Sequence, residues 1–163
     1  MFKALIAVDG SPTSQAALQF ARQMLVGKET SVTLLHVIPQ HLIYGKGGAA
    51  PAEVYDMEKE KPASQALLDD GARSLTEGRV GPHVDTKIMT GDPADVILSI
   101  AEDTDVDLIV VGSRGLSATQ RFLIGSVSTK VTTHAHCAVL VAHPKLMTAQ
   151  VNNPAVQTVV APA

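Results

Sequence analysis

The stretch Val110–Ser128, V-V-G-S-R-G-L-S-A-T-Q-R-F-L-I-G-S-V-S, decides the fold. Leu108, Ile109, Val110 and Val111 form an unbroken apolar run, which a strand of a parallel sheet shows when both of its faces are covered. The run stops at Gly112, Gly115 follows, and after residues 116–124 come Gly125, Ser126, Val127 and Ser128, which open a helical pattern. Without a Cβ, Gly112, Gly115 and Gly125 let backbone amides approach a ligand closely and take positive φ. A helix start adds unpaired N–H groups and the positive end of a dipole. Ser126 and Ser128 add hydroxyls, and Arg114 lies within reach of an anion. These are the parts of a phosphate cradle between a strand and a helix.

Working outward, the pattern alternates strand and helix throughout. Ala4–Val8 is an apolar strand closed by Asp9, and Gly10-Ser11-Pro12 turns into a helix over about Pro12–Val26, with Ser11 as cap and Gly27 behind it. Val32–Ile38 is a second strand ended by Pro39. The stretch Gln40–Pro62 reads as a long irregular connection, with room in Ala52–Lys61 for a helical turn or two that Pro62 breaks. A helix then runs from Ala63 to about Glu77, weakened by Gly71. Val84, Thr86, Ile88 and Thr90 alternate, as in a half-exposed edge strand. Gly91-Asp92-Pro93 starts a third helix, Asp107–Val111 is strand four, Val127–His134 the last helix and Ala138–Ala142 strand five. This β-α-β-α-β-α-β-α-β order predicts an α/β fold, a single domain with a five-stranded parallel sheet and helices on both faces. Ligands of such sheets sit beyond the strand carboxyl ends at the switch point.

The spacing Gly-x2-Gly-x9-Gly-Ser, in that strand-to-helix context, resembles the nucleotide motif of the ATP-binding branch of the universal stress protein family. Lys3–Ser11, Leu34–Pro39 and Ala138–Ala142 are similar to its first, second and fifth strands. The resemblance covers residues 1–143, leaving 144–163 as a C-terminal tail. It implies a Rossmann-like, adenine nucleotide α-hydrolase-like sheet in the order 3-2-1-4-5, with Asp9 brought beside the glycine loop. It implies ATP as ligand, with Mg²⁺ held through the phosphates. Asp9 would take the ribose, Ala7, Val8, Val37 and Val111 would flank the adenine, and Gly112, Arg114, Gly115, Gly125, Ser126, Val127 and Ser128 would receive the phosphates.

Composition narrows the function classes. With 163 residues, 45% apolar but only 3% aromatic, the chain builds one core from Val, Leu, Ile, Ala and Met. A net charge of −3 and few aromatics argue against a nucleic-acid surface. The single cysteine, Cys137, rules out an internal disulfide and suits a reducing compartment. No apolar run approaches the roughly 18 residues of a membrane span, and the N-terminal run is too short for a signal segment, so a cytoplasmic protein without membrane insertion is expected. His134, His136 and Cys137 lie at a helix-to-strand turn without a fourth ligand, so no metal site is expected there. His36 reads as a satisfied core histidine.

Walker, dinucleotide and kinase motifs are absent, as is a group placed to orient an attacking water. The family resemblance implies a nucleotide-sensing regulatory protein of the stress response, acting on a partner protein the sequence does not name, and the missing motifs imply little or no turnover. Two alternatives stay open: a slow ATPase or phosphotransferase using residues 40–62, and a nucleotide-free interaction module. Strand five is apolar on both faces and ends the five-stranded sheet, so Ala138–Ala142 is expected to pair with its own copy in a homodimer. The competing expectation is a tail that folds back, since Val156–Ala161 has a short β-like run; Asn152-Asn153-Pro154 and Pro162 favour a partly ordered tail.

Overall fold

The computed structural model describes residues 1–25, 29–39, 57–77, 82–115, 124–143 and 158–159. In chain order the elements are β1 (Phe2–Ala7), α1 (Pro12–Leu25), β2 (Thr30–Pro39), α2 (Met57–Thr76), β3 (His83–Gly91), α3 (Pro93–Thr104), β4 (Leu108–Gly112), α4 (Ser126–His134), β5 (Ala138–Ala142) and β6 (Thr158–Val159). The sheet runs β3-β2-β1-β4-β5-β6. Its first five strands are parallel in the expected 3-2-1-4-5 order.

Strand alternation divides the core in two. Even positions of β1 and β2, Ala4, Ile6, Val32 and Leu34, pack with Val110 against Ala16, Ala17 and Ala21 of α1 and Leu68 and Leu75 of α2. Odd positions, Leu5, Leu35 and Val37, pack with Ile109, Val111 and Val139 against Ile97, Ile100 and Ala101 of α3 and Val131 of α4. Central strands covered on both faces must be apolar at every position, which explains the unbroken runs of β1 and β4. β3, at the edge, is mostly exposed.

Three local expectations need correcting. α2 begins at Met57 and carries Pro62 inside it. Proline's φ suits a helix, and at this exposed position water can take the carbonyl left without a donor. Gly71 is no flaw in that helix: a Cβ there would lie 2.7 Å from Leu34 Cδ2, so its smallness lets α2 sit close on β2. The edge of the sheet is also not bare at β5, because β6 pairs antiparallel with it, Thr158 opposite Leu140 and Val159 opposite Val139. Residues 40–56, which hold most of the long connection, and the expected cap at Gly27 lie outside the described residues.

Candidate functional site

β1 and β4 are neighbours, with Ala4, Leu5 and Ile6 opposite Leu108, Ile109 and Val110. Both therefore deliver their carboxyl ends to one place, Ala7-Val8-Asp9 from one and Gly112-Ser113-Arg114-Gly115 from the other. Gly10, with φ of 78°, turns the chain after β1 into α1, and the Ser11 N–H donates to Asp9 Oδ1 at 3.0 Å. Positive φ at this turn is what a side chain would resist.

The Gly112–Gly115 segment is tied to both flanking helices. Ser11 Oγ donates to the Arg114 carbonyl at 3.3 Å, and Thr13 Oγ1 donates to the same oxygen. On the other side Gly125 N–H donates to the Ser113 carbonyl at 2.6 Å. Ser128 Oγ donates to that carbonyl at 3.1 Å and to the Gly125 carbonyl at 3.0 Å. Ser128 is buried, so its hydroxyl is spent on clipping the two ends of the loop together. Ser126, by contrast, is exposed at the first turn of α4.

None of the three loop glycines takes positive φ; among the described glycines only Gly10 and Gly91 do. Close approach is the reason for their size. A Cβ on Gly112 would lie 2.7 Å from Thr13 C and 2.8 Å from Ser14 N, the backbone of α1. On Gly115 it would lie 2.9 Å from Asp9 Oδ2, and on Gly125 3.3 Å from Arg114 Cα. Gly112 thus seats α1, while Gly115 faces the Asp9 carboxylate.

Gly125 is the N-cap of α4, with extended backbone and no side chain capping the helix. The first-turn amides of Ser126, Val127 and Ser128 consequently have no acceptor within the helix. α1 differs, since Ser11 caps it, accepting from Ser14 N–H at 3.2 Å. The open N-terminus of α4, the Asp9 carboxylate and Gly115 lie close together, and a Cβ on Gly115 would crowd the carboxylate. That arrangement suits a group with an anionic end and a hydroxylated middle, as a nucleotide has.

The expected adenine residues separate by face. Ala7, Val37 and Val111 lie on the α3/α4 side, while Val8 packs its side chain into the α1/α2 core. Only the backbone of Val8 can face a ligand. Arg114 is half-buried, and residues 116–123 of the loop lie outside the described residues. His36 was not among the expected site residues, yet its Nδ1 stands 2.7 Å from the Val8 carbonyl at the rim. A histidine two residues from the end of a strand aimed at this pole was the signal available. Cys137 is half-buried and free; burial pushes its thiol pKa up, with Asp107 adding to the effect, so it is poorly suited to be a nucleophile. Among the described residues no group of three His, Cys, Asp or Glu side chains is placed to hold a metal ion. No described helix is long and apolar enough to cross a membrane.

The sequence model of the universal stress protein family matches residues 1–143. The chain belongs to the universal stress protein family. A universal stress protein of Staphylococcus epidermidis is 35% identical over 147 residues, covering 88% of this chain and 84% of that one. Among solved structures, universal stress protein UspA from Lactobacillus plantarum aligns with a TM-score of 0.70 at 27% identity, covering 86% of this chain and 97% of that one. A universal stress protein family protein from Arabidopsis thaliana, solved with AMP bound, aligns with a TM-score of 0.61 at 26% identity, covering 88% and 92%. In this universal stress protein the glycine loop, Asp9 and the open end of α4 lie together at the carboxyl edge of the sheet.

Proposed function

We propose that this universal stress protein binds ATP at the carboxyl edge of β1 and β4 and acts in the cytoplasm as a nucleotide-sensing regulator of a partner protein, with little or no turnover. The observation that carries the reading is the uncapped N-terminus of α4, held beside Asp9 and Gly115. The first-turn amides of Ser126, Val127 and Ser128, the Ser126 hydroxyl, the Gly115 backbone and the Arg114 guanidinium would take the phosphates. The Ser128 hydroxyl would serve by keeping the loop closed, and Gly112 by seating α1. Asp9 would accept from the ribose, and Ala7, Val37 and Val111, with the Val8 backbone, would flank the base. Mg²⁺ would enter on the phosphate oxygens. The AMP held by the Arabidopsis relative supports an adenine nucleotide as the class of ligand.

A native mass spectrum of the purified protein, followed by calorimetric titration with ATP, tests the proposal. Bound adenine nucleotide, or saturable ATP binding, is expected; neither would leave the nucleotide-free module standing. Turnover near the enzyme median of about 10 s⁻¹ would favour the enzyme reading instead. We further propose that two copies associate along Ala138–Ala142. Because β6 holds that edge, the association requires Thr158–Val159 to leave it.

A further inference from the structure

We propose that His36 is a positioning residue of the nucleotide site, orienting Asp9 by holding the peptide that precedes it. The proposal rests on the nucleotide-binding reading above. Both polar atoms of the Val8–Asp9 peptide are engaged by side chains from different elements. Its carbonyl faces His36 Nδ1 of β2 at 2.7 Å, and its N–H donates to Ser14 Oγ of α1 at 3.4 Å. A carbonyl only accepts, so Nδ1 must carry the proton and the neutral ring is the Nδ1–H tautomer, leaving Nε2 as the lone-pair nitrogen.

The position of this peptide matters because the regular ladder ends here. Val8 N–H still donates to the Leu35 carbonyl at 2.9 Å, but β1 itself ends at Ala7. Beyond that point the backbone must leave the sheet and turn through Gly10. The peptide plane sets the direction of the Asp9 Cα–Cβ bond, and hence where Asp9 Oδ2 stands over Gly115. His36 and Ser14 fix that plane from the two sides. Ser14 Oγ is itself anchored, donating to the Ser11 carbonyl at 3.0 Å. The imidazole, half-buried and bonded at a short distance, is the stronger of the two restraints.

The experiment uses the full chain, with ATP and inorganic tripolyphosphate as titrants, and compares the unmodified protein with His36→Phe and His36→Asn. Phenylalanine keeps the ring and removes the donor. Asparagine puts its amide Nδ2 where Nδ1 stood and restores it. His36→Phe should weaken ATP about tenfold, as expected when the hydrogen bond between Asp9 and the ribose loses its alignment, and leave tripolyphosphate unchanged. His36→Asn should recover most of the ATP affinity. Nitrogen-15 spectra of the unmodified protein should show the neutral His36 ring as the Nδ1–H tautomer. An Nε2–H tautomer overturns the proposal, as does ATP affinity unchanged in His36→Phe, or an equal loss for both titrants. If His36→Phe fails to fold, the tautomer and a comparison with Ser14→Ala decide. Failure of the unmodified protein to bind either titrant defeats the nucleotide reading and this proposal with it; the other adverse outcomes defeat this one alone.

Discussion

Replacing Gly115 with alanine separates ligand binding from folding. The new Cβ would lie 2.9 Å from Asp9 Oδ2, well inside ordinary contact distance. The obstructing atom is the end of a side chain, so Asp9 can turn away at the cost of its 3.0 Å bond from Ser11 N–H. Water can replace that bond at this half-exposed site, so stability should fall by under about 1 kcal/mol, or no more than roughly 2–4 °C in Tm for a chain of this size. The ribose contact is another matter. Losing a hydrogen bond to a charged group is worth about 1.5–3 kcal/mol, which is about 10- to 150-fold in Kd. Gly112→Ala is the counterpart, since its Cβ would meet the backbone of Thr13 and Ser14, which cannot rotate out of the way. Overpacking of that kind costs about 1–3 kcal/mol, or roughly 2–12 °C in Tm. Calorimetric titration with ATP and thermal unfolding of both variants make the comparison. A folded Gly115→Ala protein that binds ATP within about twofold of the unmodified chain would refute the placement of the site.

Ser128→Ala removes the clip between Ser113 and Gly125 and should lower stability by about 1 kcal/mol in urea unfolding, with weaker ATP binding; unchanged values for both would show the loop closed without it. Asp92 caps α3 by accepting from Asp95 N–H at 3.0 Å, and that bond, helped by Lys130, holds its carboxyl below the ordinary 3.8 against the opposing effect of burial. A depressed folded-state pKa means the stabilisation is present above the unfolded value and lost as pH falls through the folded one. Asp92→Ala should therefore cost about 1 kcal/mol at neutral pH, with the gap closing below about pH 4; a gap independent of pH would contradict the assignment. Deleting residues 144–163 bares the β5 edge, and the shortened chain should sediment with more dimer than the full chain at equal micromolar concentration. Identical sedimentation would show that β6 does not compete for that edge.

Periodicity revealed the sheet because the centre of β1 and nearly all of β4 are buried on both faces and leave little room for polar residues. The meeting of Asp9 with the glycine loop was legible only through the strand order that the family resemblance implied, since neighbouring parallel strands put their carboxyl ends together. What the pattern misassigned depended on contacts between distant residues. Gly71 lowers helix propensity locally, and only Leu34 opposite it makes the small residue useful. Gly112 and Gly115 were expected to allow close approach to a ligand and positive φ; neither takes positive φ, and what an added side chain would meet is Thr13 and Ser14 in one case and Asp9 in the other, distant in sequence. The Ser128 hydroxyl looked like a ligand donor because helix starts favour one; its burial and its bond to Ser113 were invisible until the loop closed. His36 passed as core because a histidine in a strand gives no sign of which carbonyl it meets.

The short antiparallel β6 has a consequence for the order of folding. Every other described strand of the sheet precedes it in the chain, and about sixteen positions separate Ala142 from Thr158. The parallel sheet can therefore form first, leaving the hydrogen-bonding side of Val139 and Leu140 bare until Thr158 and Val159 dock on it. Chains refolding side by side present that same surface to each other during the interval. Crosslinking between copies, present early in refolding and reduced once it is complete, would reveal whether the interval is used; no difference between early and late samples would show that it is not.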